Sequence, residues 1–348
     1  MATIRDIAKL AGVSVPTVSR VLNDQPVDAE MTARVRKAAR DLNYVPNRSA
    51  RRLRGVGTQL VGAIFSDLAN PFYMQILRAL EGRFAQSGHT LIVGNSDADP
   101  EREARLIRVM REEGVAGLVI APASEATQTL AEPVRGGFPV VVVDRVMRDL
   151  AVDTVQIRNA DAAANAVAHL ARTGHRRIGF IGGPEHLSSA RERHAGFRRG
   201  LEAAGLSCHP GHVRSGDYRM ESGRRGAADL LALDAPPSAI LVANNEMLIG
   251  ALNHIHSTGR RIPGDVAIVG FDDFPWSISL NPPLTAIAQP SEAIGQAAAQ
   301  LLLDRIADHG LPARVVTLEA ELIVRASCGA PPSRTTDNQQ EPTREQAQ

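Results

Sequence analysis

"TIRDIAKLAGVSVPTVSRVLN", residues 3–23, decides the fold of the first part of this 348-residue chain. Ile4, Ile7, Ala8 and Ala11 recur at i, i+3, i+4 and i+7, which is one face of a helix. Thr3 stands where an N-cap belongs, and Asp6, three residues on, completes a capping box. Gly12 breaks the helix. Ser14 offers a second cap, and Pro16 lies near a first helical position, where its missing N–H costs nothing. Val18, Val21 and Leu22 give the next helix its apolar face. Helix, glycine turn, helix is the helix-turn-helix pattern, whose second helix enters the major groove of DNA. Taken alone the pattern is a weak signal, because any helical hairpin imitates it.

The residues around this stretch sharpen it. "DAEMTARVRKAARDLN", 28–43, predicts a third helix with Met31, Val35, Ala38, Ala39 and Leu42 facing inward. Pro46 ends that element. In "YVPNRSARRLR", 44–54, Arg48, Arg51, Arg52 and Arg54 surround an apolar Leu53, and "GVGT" follows as a flexible joint. Residues 1–58 hold 11 basic and 5 acidic side chains, whereas the other 290 hold 28 and 33. A basic head on a mildly acidic body points to a polyanionic partner, nucleic acid first. On charge alone, a head that is merely soluble fits as well. Ser14, Thr17, Ser19, Arg20 and Asn23 present polar groups on the exposed side of the second helix, able to reach phosphates and base edges. Arg20 is the candidate for a bidentate guanine contact, a geometry lysine does not offer. Thr3, Ser19 and Tyr44 have a second reading as a cap, a buried hydroxyl and a packing ring.

From residue 60 the texture changes to short apolar runs alternating with amphipathic helices. "LVGAIF", "HTLIVG", "AGLVIAP" and "FPVVVVD" alternate with helices near 71–87, 99–113 and 124–136. "RIGFIG", "SAILVAN" and "DVAIVGFDD" alternate with helices near 159–172, 189–205, 219–233 and 245–258. Such alternation predicts parallel sheets covered by helices on both faces, and its length predicts two similar α/β subdomains. "LTAIAQP" leads to one more helix, 291–308, and a final strand pair near 314–326. Residues 330–348 have almost nothing to bury and read as a disordered tail.

The chemistry-bearing patterns of enzymes are missing from the sequence: no P-loop, no G-x-S-x-G, and no G-x-G-x-x-G after a strand. "CHPGH" at 208–212 lacks a fourth metal ligand nearby, and His254 and His256 do not share a helix face, so no metal and no cofactor is expected. Cys208 and Cys328 lie too far apart in the chain to suggest a disulfide framework. No apolar run approaches the ~18 residues needed to span a bilayer, and "MATIRDIAKL" is charged where a signal peptide is apolar. The expectation is a soluble, cytoplasmic, nucleoid-associated protein with no membrane partner. A sugar-binding transport protein would share the body's architecture, but would carry an export signal in place of the basic head.

Residues 3–23 resemble, almost position by position, the N-terminal motif of the lactose-repressor (LacI/GalR) family of bacterial transcription regulators. "LNYVPNRSARRL" is similar to that family's next signature. The resemblance continues through "NPF" at 70–72, "GHRRIGFIGG" at 174–183, "RHAGF" at 193–197, "IPGDVAIVGFDD" at 262–273 and "PPLTAIAQP" at 282–290. It implies a small all-α helix-turn-helix head plus an α/β body of two parallel-sheet subdomains, periplasmic-binding-protein-like. The implied divisions are a DNA-binding domain at 1–45 and a hinge helix and linker at 46–58. An N-subdomain at 59–158 plus about 288–318 and a C-subdomain at 159–287 plus about 319–328 follow, then the tail at 330–348.

The resemblance also implies roles. Val15 and Pro16 stand where the family places its chief specificity residues, and neither side chain donates a hydrogen bond, so readout there is by shape or thymine-methyl contact. Thr3 joins Ser14, Thr17, Ser19, Arg20 and Asn23 in the DNA-contacting set. Residues 46–54 look like the family's hinge helix. Asn47, Arg48, Ala50 and Arg51 would lie on the minor groove there, while Leu53 wedges into a flexible base step. Ligands in open α/β sheets bind beyond the carboxyl ends of the strands, which singles out Asn70, Phe72, Asp144, Asn244, Asp272 and Asp273. Arg193 falls in the family's effector-binding pattern, and Arg193, Asn244 and Asp272 match its ligand-contacting positions. Tyr218 and Trp276, with Phe72, are candidate apolar walls; Phe271 reads as core. The implied protein is no enzyme but a regulator, commonly a repressor, binding a pseudo-palindromic operator in double-stranded DNA as a homodimer. A sugar-like effector between the subdomains would switch it allosterically. Asn245 and Ala116 depart from the family pattern, which usually has aspartate at both positions.

Overall fold

The structure, a computed structural model, describes residues 2–22, 25–44, 59–125 and 128–329. Asn23, the hinge residues Asn47, Arg48, Ala50, Arg51 and Leu53, and the tail 330–348 lie outside the described residues. The chain divides into two units, Met1–Thr58 and Gln59–Gln348.

The first unit packs helices α1 (Ile4–Ala11), α2 (Val15–Leu22) and α3 (Ala29–Asp41) around Ile7, Ala8, Ala11, Val18, Val21, Val35 and Ala38. Thr3 and Asp6 form the capping box of α1, and Gly12 ends that helix in the left-handed region at φ 64°. Asp28 caps α3 by accepting from the Glu30 and Met31 amides. Met31, expected inside from periodicity, is 42% exposed. It lies in the first turn of α3, and the buried positions of that helix, Val35 and Ala38, begin a turn later.

The second unit holds two six-stranded sheets. Strands β1 (Leu60–Phe65), β2 (Thr90–Asn95), β3 (Leu118–Ile120), β4 (Val140–Val143), β5 (Asp153–Ile157) and β11 (Val315–Leu318) build the first, in the order 11-5-4-3-1-2. Its pairs are all parallel. Strands β6 (Ile178–Gly182), β7 (Val213–Ser215), β8 (Ala239–Val242), β9 (Ala267–Phe271), β10 (Thr285–Ala288) and β12 (Glu321–Ile323) build the second, in the order 12-10-9-8-6-7. There β12 runs antiparallel to β10, and the remaining pairs are parallel. Helices α4 (Pro71–Gln86), α5 (Pro100–Glu112), α6 (Gln128–Arg135) and α11 (Ser291–Ala307) accompany the first sheet. Helices α7 (Asn159–Arg172), α8 (Ser188–Ala203), α9 (Met220–Leu231) and α10 (Asn245–Ser257) accompany the second. Phe65, Phe84, Phe180, Phe197 and Phe271 are fully buried, each worth roughly 1.5–3 kcal/mol of burial.

The sheets correct the sequence reading at two places. The strands β5 and β7 are not expected from the residues, because "DTVQI" and "VRS" carry no apolar run. Asp153 nonetheless sits inside, held by the Arg305 guanidinium at 2.9 and 3.0 Å and by the Arg314 amide at 2.8 Å. The strands near 314–326 are not a pair: β11 joins β5 and β12 joins β10, so the chain crosses between sheets in the two residues that separate them. Short-range pairing is the prior for neighbouring strands, and the antiparallel edge of β10 overrides it here.

Candidate functional site

In the first unit, Ser14, just before α2, and Val15, Pro16 and Arg20 on it are exposed, while Thr17 and Ser19 are half-buried. The Thr3 hydroxyl donates to Asp6 at 2.7 Å and accepts from the Asp6 amide at 3.3 Å, so local structure occupies it. Ser14 accepts from the Thr17 amide at 3.2 Å and pairs with the Thr17 hydroxyl at 2.8 Å. The structure adds Arg34, whose guanidinium donates to the Ala11 and Gly12 carbonyls and braces the turn before α2. Nothing in the local pattern of α3 marks that residue, because its partners lie more than 20 positions away.

In the second unit, one cavity of about 310 Å³ opens between the two sheets. Its walls are the segments that leave the strands at their carboxyl ends. Ser66, Asp67, Asp97, Ala123, Asp144 and Arg145 come from the first sheet, and Asp217, Tyr218, Asn244 and Asp272 from the second. Asp97, Ala98, Asp144, Tyr218 and Asp272 all adopt left-handed φ, between 55° and 72°. Such a turn costs a non-glycine residue of order 1–3 kcal/mol. These five are most of the non-glycine residues in that region among the described ones, so the strain is concentrated where the chain must turn sharply at the cavity. Gly183 serves the same end by lacking a side chain: a Cβ there would stand 2.1 Å from the Tyr218 ring.

Seven of the nine residues singled out for this site line the cavity: Asn70, Phe72, Asp144, Arg193, Tyr218, Asn244 and Asp272. Trp276 does not; its ring stacks on Phe274 with centroids 5.6 Å apart. Asp273 turns away to a bidentate pair with Arg325, both contacts 2.7 Å. Sequence reasoning did not select Tyr73, Arg145, Ser189, Arg219 or Gln289, which also line it. Gln289 was within reach, since it directly follows the last residue of β10.

The interior is charge-balanced. Asp144 accepts from the Tyr73 hydroxyl at 3.0 Å and lies 3.7 Å from Arg145 and 3.9 Å from Arg193. Arg193 donates to Asn159 at 2.8 Å and to the Ala243 carbonyl at 2.6 Å, and its guanidinium lies 4.1 Å over the Phe271 ring. Asp272 accepts from Gln289 at 2.6 Å. Burial pushes the Asp272 carboxyl up, opposed by Arg193 and by the Gln289 hydrogen bond. Burial likewise raises the Tyr73 and Tyr218 hydroxyls, so both remain neutral donors. Three buried polar atoms are left without a hydrogen-bond partner here, Nε of Arg145, the Tyr218 hydroxyl and Oε1 of Gln289. Unpartnered donors and acceptors lining one cavity cost free energy that a ligand with hydroxyl or amide groups would recover. Toward solvent, Asp67, Asp97 and Asp217 outnumber Arg219, which makes the entrance acidic.

Two family models match the chain: "Bacterial regulatory proteins, lacI family" over residues 3–47, and "Periplasmic binding protein-like domain" over residues 167–328. The HTH-type transcriptional repressor PurR of Aliivibrio salmonicida (strain LFI1238) is 32% identical over 94% of this chain and 99% of its own length. The HTH-type transcriptional repressor CytR of Escherichia coli (strain K12) is 32% identical over 95% and 97%. Among solved structures, the lac repressor dimer bound to operator and the anti-inducer ONPF is 30% identical, covers 94% of this chain and 99% of its own, and superposes with a TM-score of 0.83. The transcriptional regulator CelR in complex with cellobiose is 30% identical over 94% and 100%, with a TM-score of 0.73.

Proposed function

This chain belongs to the lacI family of bacterial regulatory proteins, and from that premise we propose that it is a transcriptional repressor switched by a neutral, hydroxyl-rich metabolite. The ligand occupies the cavity between the two sheets, and its binding changes the affinity of the head for operator DNA. A single observation carries the ligand class: a buried, charge-balanced interior with an orphaned donor on Arg145 and an orphaned acceptor on Gln289, behind an acidic entrance. A neutral polyol meets both orphans, while an anion is repelled on entry. Cellobiose bound to a related regulator is in keeping with this class.

The operator is pseudo-palindromic and the protein a dimer, one helix-turn-helix per half-site. Ser14, Val15, Pro16, Thr17, Ser19 and Arg20 read the major groove, with Asn23, and the hinge residues Asn47, Arg48, Ala50, Arg51 and Leu53 act on the minor groove. Large apolar side chains exposed in both halves of the body, Met74 and Val93 in one, Met220 and Ile278 in the other, supply surface for a second copy. The protein works in the cytoplasm on the nucleoid. Coupling between the two ligands of this kind is worth about 1–3 kcal/mol.

Thermal-shift screening of the full chain against neutral sugars, polyols, nucleosides and sugar acids tests the ligand class, because a specific ligand raises the melting temperature by mass action. Shifts are expected with a neutral compound and none with the acids. A shift with sugar acids alone would overturn the charge argument.

A further inference from the structure

Asn70 lines the cavity from the first half of the body, and Asn245 opens helix α10 in the second. Nδ2 of each donates to Oδ1 of the other, both bonds 3.1 Å long. Both residues are buried, at 8% and 1% exposure. Asn70 also caps α4 by accepting from the Phe72 amide at 2.9 Å. Asn244, next to Asn245, caps α10 by accepting from the Met247 amide at 3.0 Å and donates to the Tyr218 carbonyl, also at 3.0 Å. The reciprocal pair therefore ties the first turn of a helix in one half to the first turn of a helix in the other.

Other polar contacts also cross between the halves. Arg219 reaches Asp97 at 3.0 Å, with both side chains about half exposed, and Arg191 reaches Glu125 at 2.7 Å, with Arg191 partly exposed. Water and salt compete with the exposed Arg219–Asp97 pair, which is worth little. Glu125 is buried on its side of the second pair, and the buried Arg193 and Asp144 face each other across the same seam at 3.9 Å, beyond hydrogen-bond distance. The amide pair is buried, so breaking it strands both Nδ2 donors and Oδ1 of Asn245, while Oδ1 of Asn70 keeps the Phe72 amide. It is also neutral, and it has to be: the Asp272 carboxylate beside it is already raised by burial and accepts from the Asn245 backbone. A two-bond pairing needs a donor and an acceptor on one planar group at each side, which a carboxamide supplies and a carboxylate does not.

We infer that Asn70 and Asn245 are positioning residues forming a clasp that holds the cleft closed without any ligand. The effector then acts on a protein that is already closed. That consequence rests on the cavity being the effector site; the clasp itself does not.

The test uses two nitroxide labels on the full chain, diluted with unlabelled chain, and reads their separation by pulsed electron resonance. One label sits on Cys208, which is exposed, while Cys328 is buried and left unmodified. The other sits on E101C, where the native side chain is 89% exposed. The unliganded native sequence should give one short distance at about pH 8. Asn245→Ala and Asn245→Asp should both give a longer, broader distribution. On acidification to about pH 4, near the ordinary aspartate pKa of about 3.9, the carboxyl introduced by N245D takes up a proton, regains a donor beside its acceptor and should close the cleft again, whereas N245A should stay open. N70D keeps the helix cap, loses one donor, and should behave like N245D, which guards against a variant that fails to fold. Identical distributions in the native chain and N245A, or no reclosure of N245D and N70D at low pH, would overturn the clasp. No ligand enters the measurement, so the clasp and the cavity assignment fail separately.

Discussion

A guanidinium nitrogen of Arg193 stands 3.9 Å from Oδ1 of Asp144, across the seam between the two sheets. Arg193 comes from α8 and Asp144 from the end of β4, so each half of the body supplies one charge. Fixed bonds to Asn159 and the Ala243 carbonyl prevent Arg193 from swinging to another partner. A ligand in the cavity therefore meets a donor that is already oriented, at little further cost in side-chain entropy.

Arg193→Ala should weaken ligand binding by about 1.5–3 kcal/mol, roughly ten- to a hundredfold, and abolish the ligand response. Operator affinity without ligand should hardly change. Calorimetric titration with whichever compound the thermal screen finds measures the first, and gel shifts the second. An intact ligand response in this variant would sink the cavity assignment.

Glu103 gives a pH dependence of stability with a definite sign. Burial pushes its carboxyl from 4.5 up to about 7, against the opposing pull of the Ala123 amide and of Arg145. Between those values the folded chain keeps a proton that the unfolded chain has lost. Stability from this group therefore falls as pH rises from about 4.5 to about 7, by ~3 kcal/mol in all, and is level above. Glu103→Gln should raise Tm at about pH 8 and leave it nearly unchanged at about pH 5. An equal gain at both would show that the effect is packing and not protonation.

Arg20→Ala should cost specific operator binding about 1–3 kcal/mol while non-specific binding falls much less. The comparison is a competition gel shift with operator against random duplex at fixed salt. Equal losses on both would reduce Arg20 to a phosphate contact.

If Leu53 is the wedge proposed above, Leu53→Ala should lower operator bending and affinity with little change in Tm, since such a wedge acts on the duplex. Bending is read from circular-permutation gel shifts, and an unchanged bend angle refutes the wedge.

Much of this was legible in the residues. The 3.6 period and the caps announced α1 and α2, and alternation of apolar runs with helices announced a parallel-sheet body. The strand-end rule located Asn70, Asp144, Asn244 and Asp272 at one cavity, because carboxyl ends of parallel strands converge by geometry. The same rule applied to β10 reaches Gln289. It gave no warning that Asp273 would turn to Arg325, since two consecutive residues leaving a strand face opposite ways and only the backbone angle selects which enters.

Local pattern, then, determined the helices, the apolar strands, their order and the family, since caps, periods and turn residues act over a few positions. Tertiary structure alone decided what required partners remote in the chain. Asp153 became a core residue through Arg305, 152 positions away, and Arg34 became a brace for the helix-turn-helix through a carbonyl 23 positions back. Asn245, an unexplained departure in the sequence, became half of a clasp through Asn70, 175 positions away. Hydrogen bonds and desolvation depend on distance in space, and one chain position carries no record of which distant group will complete its valence.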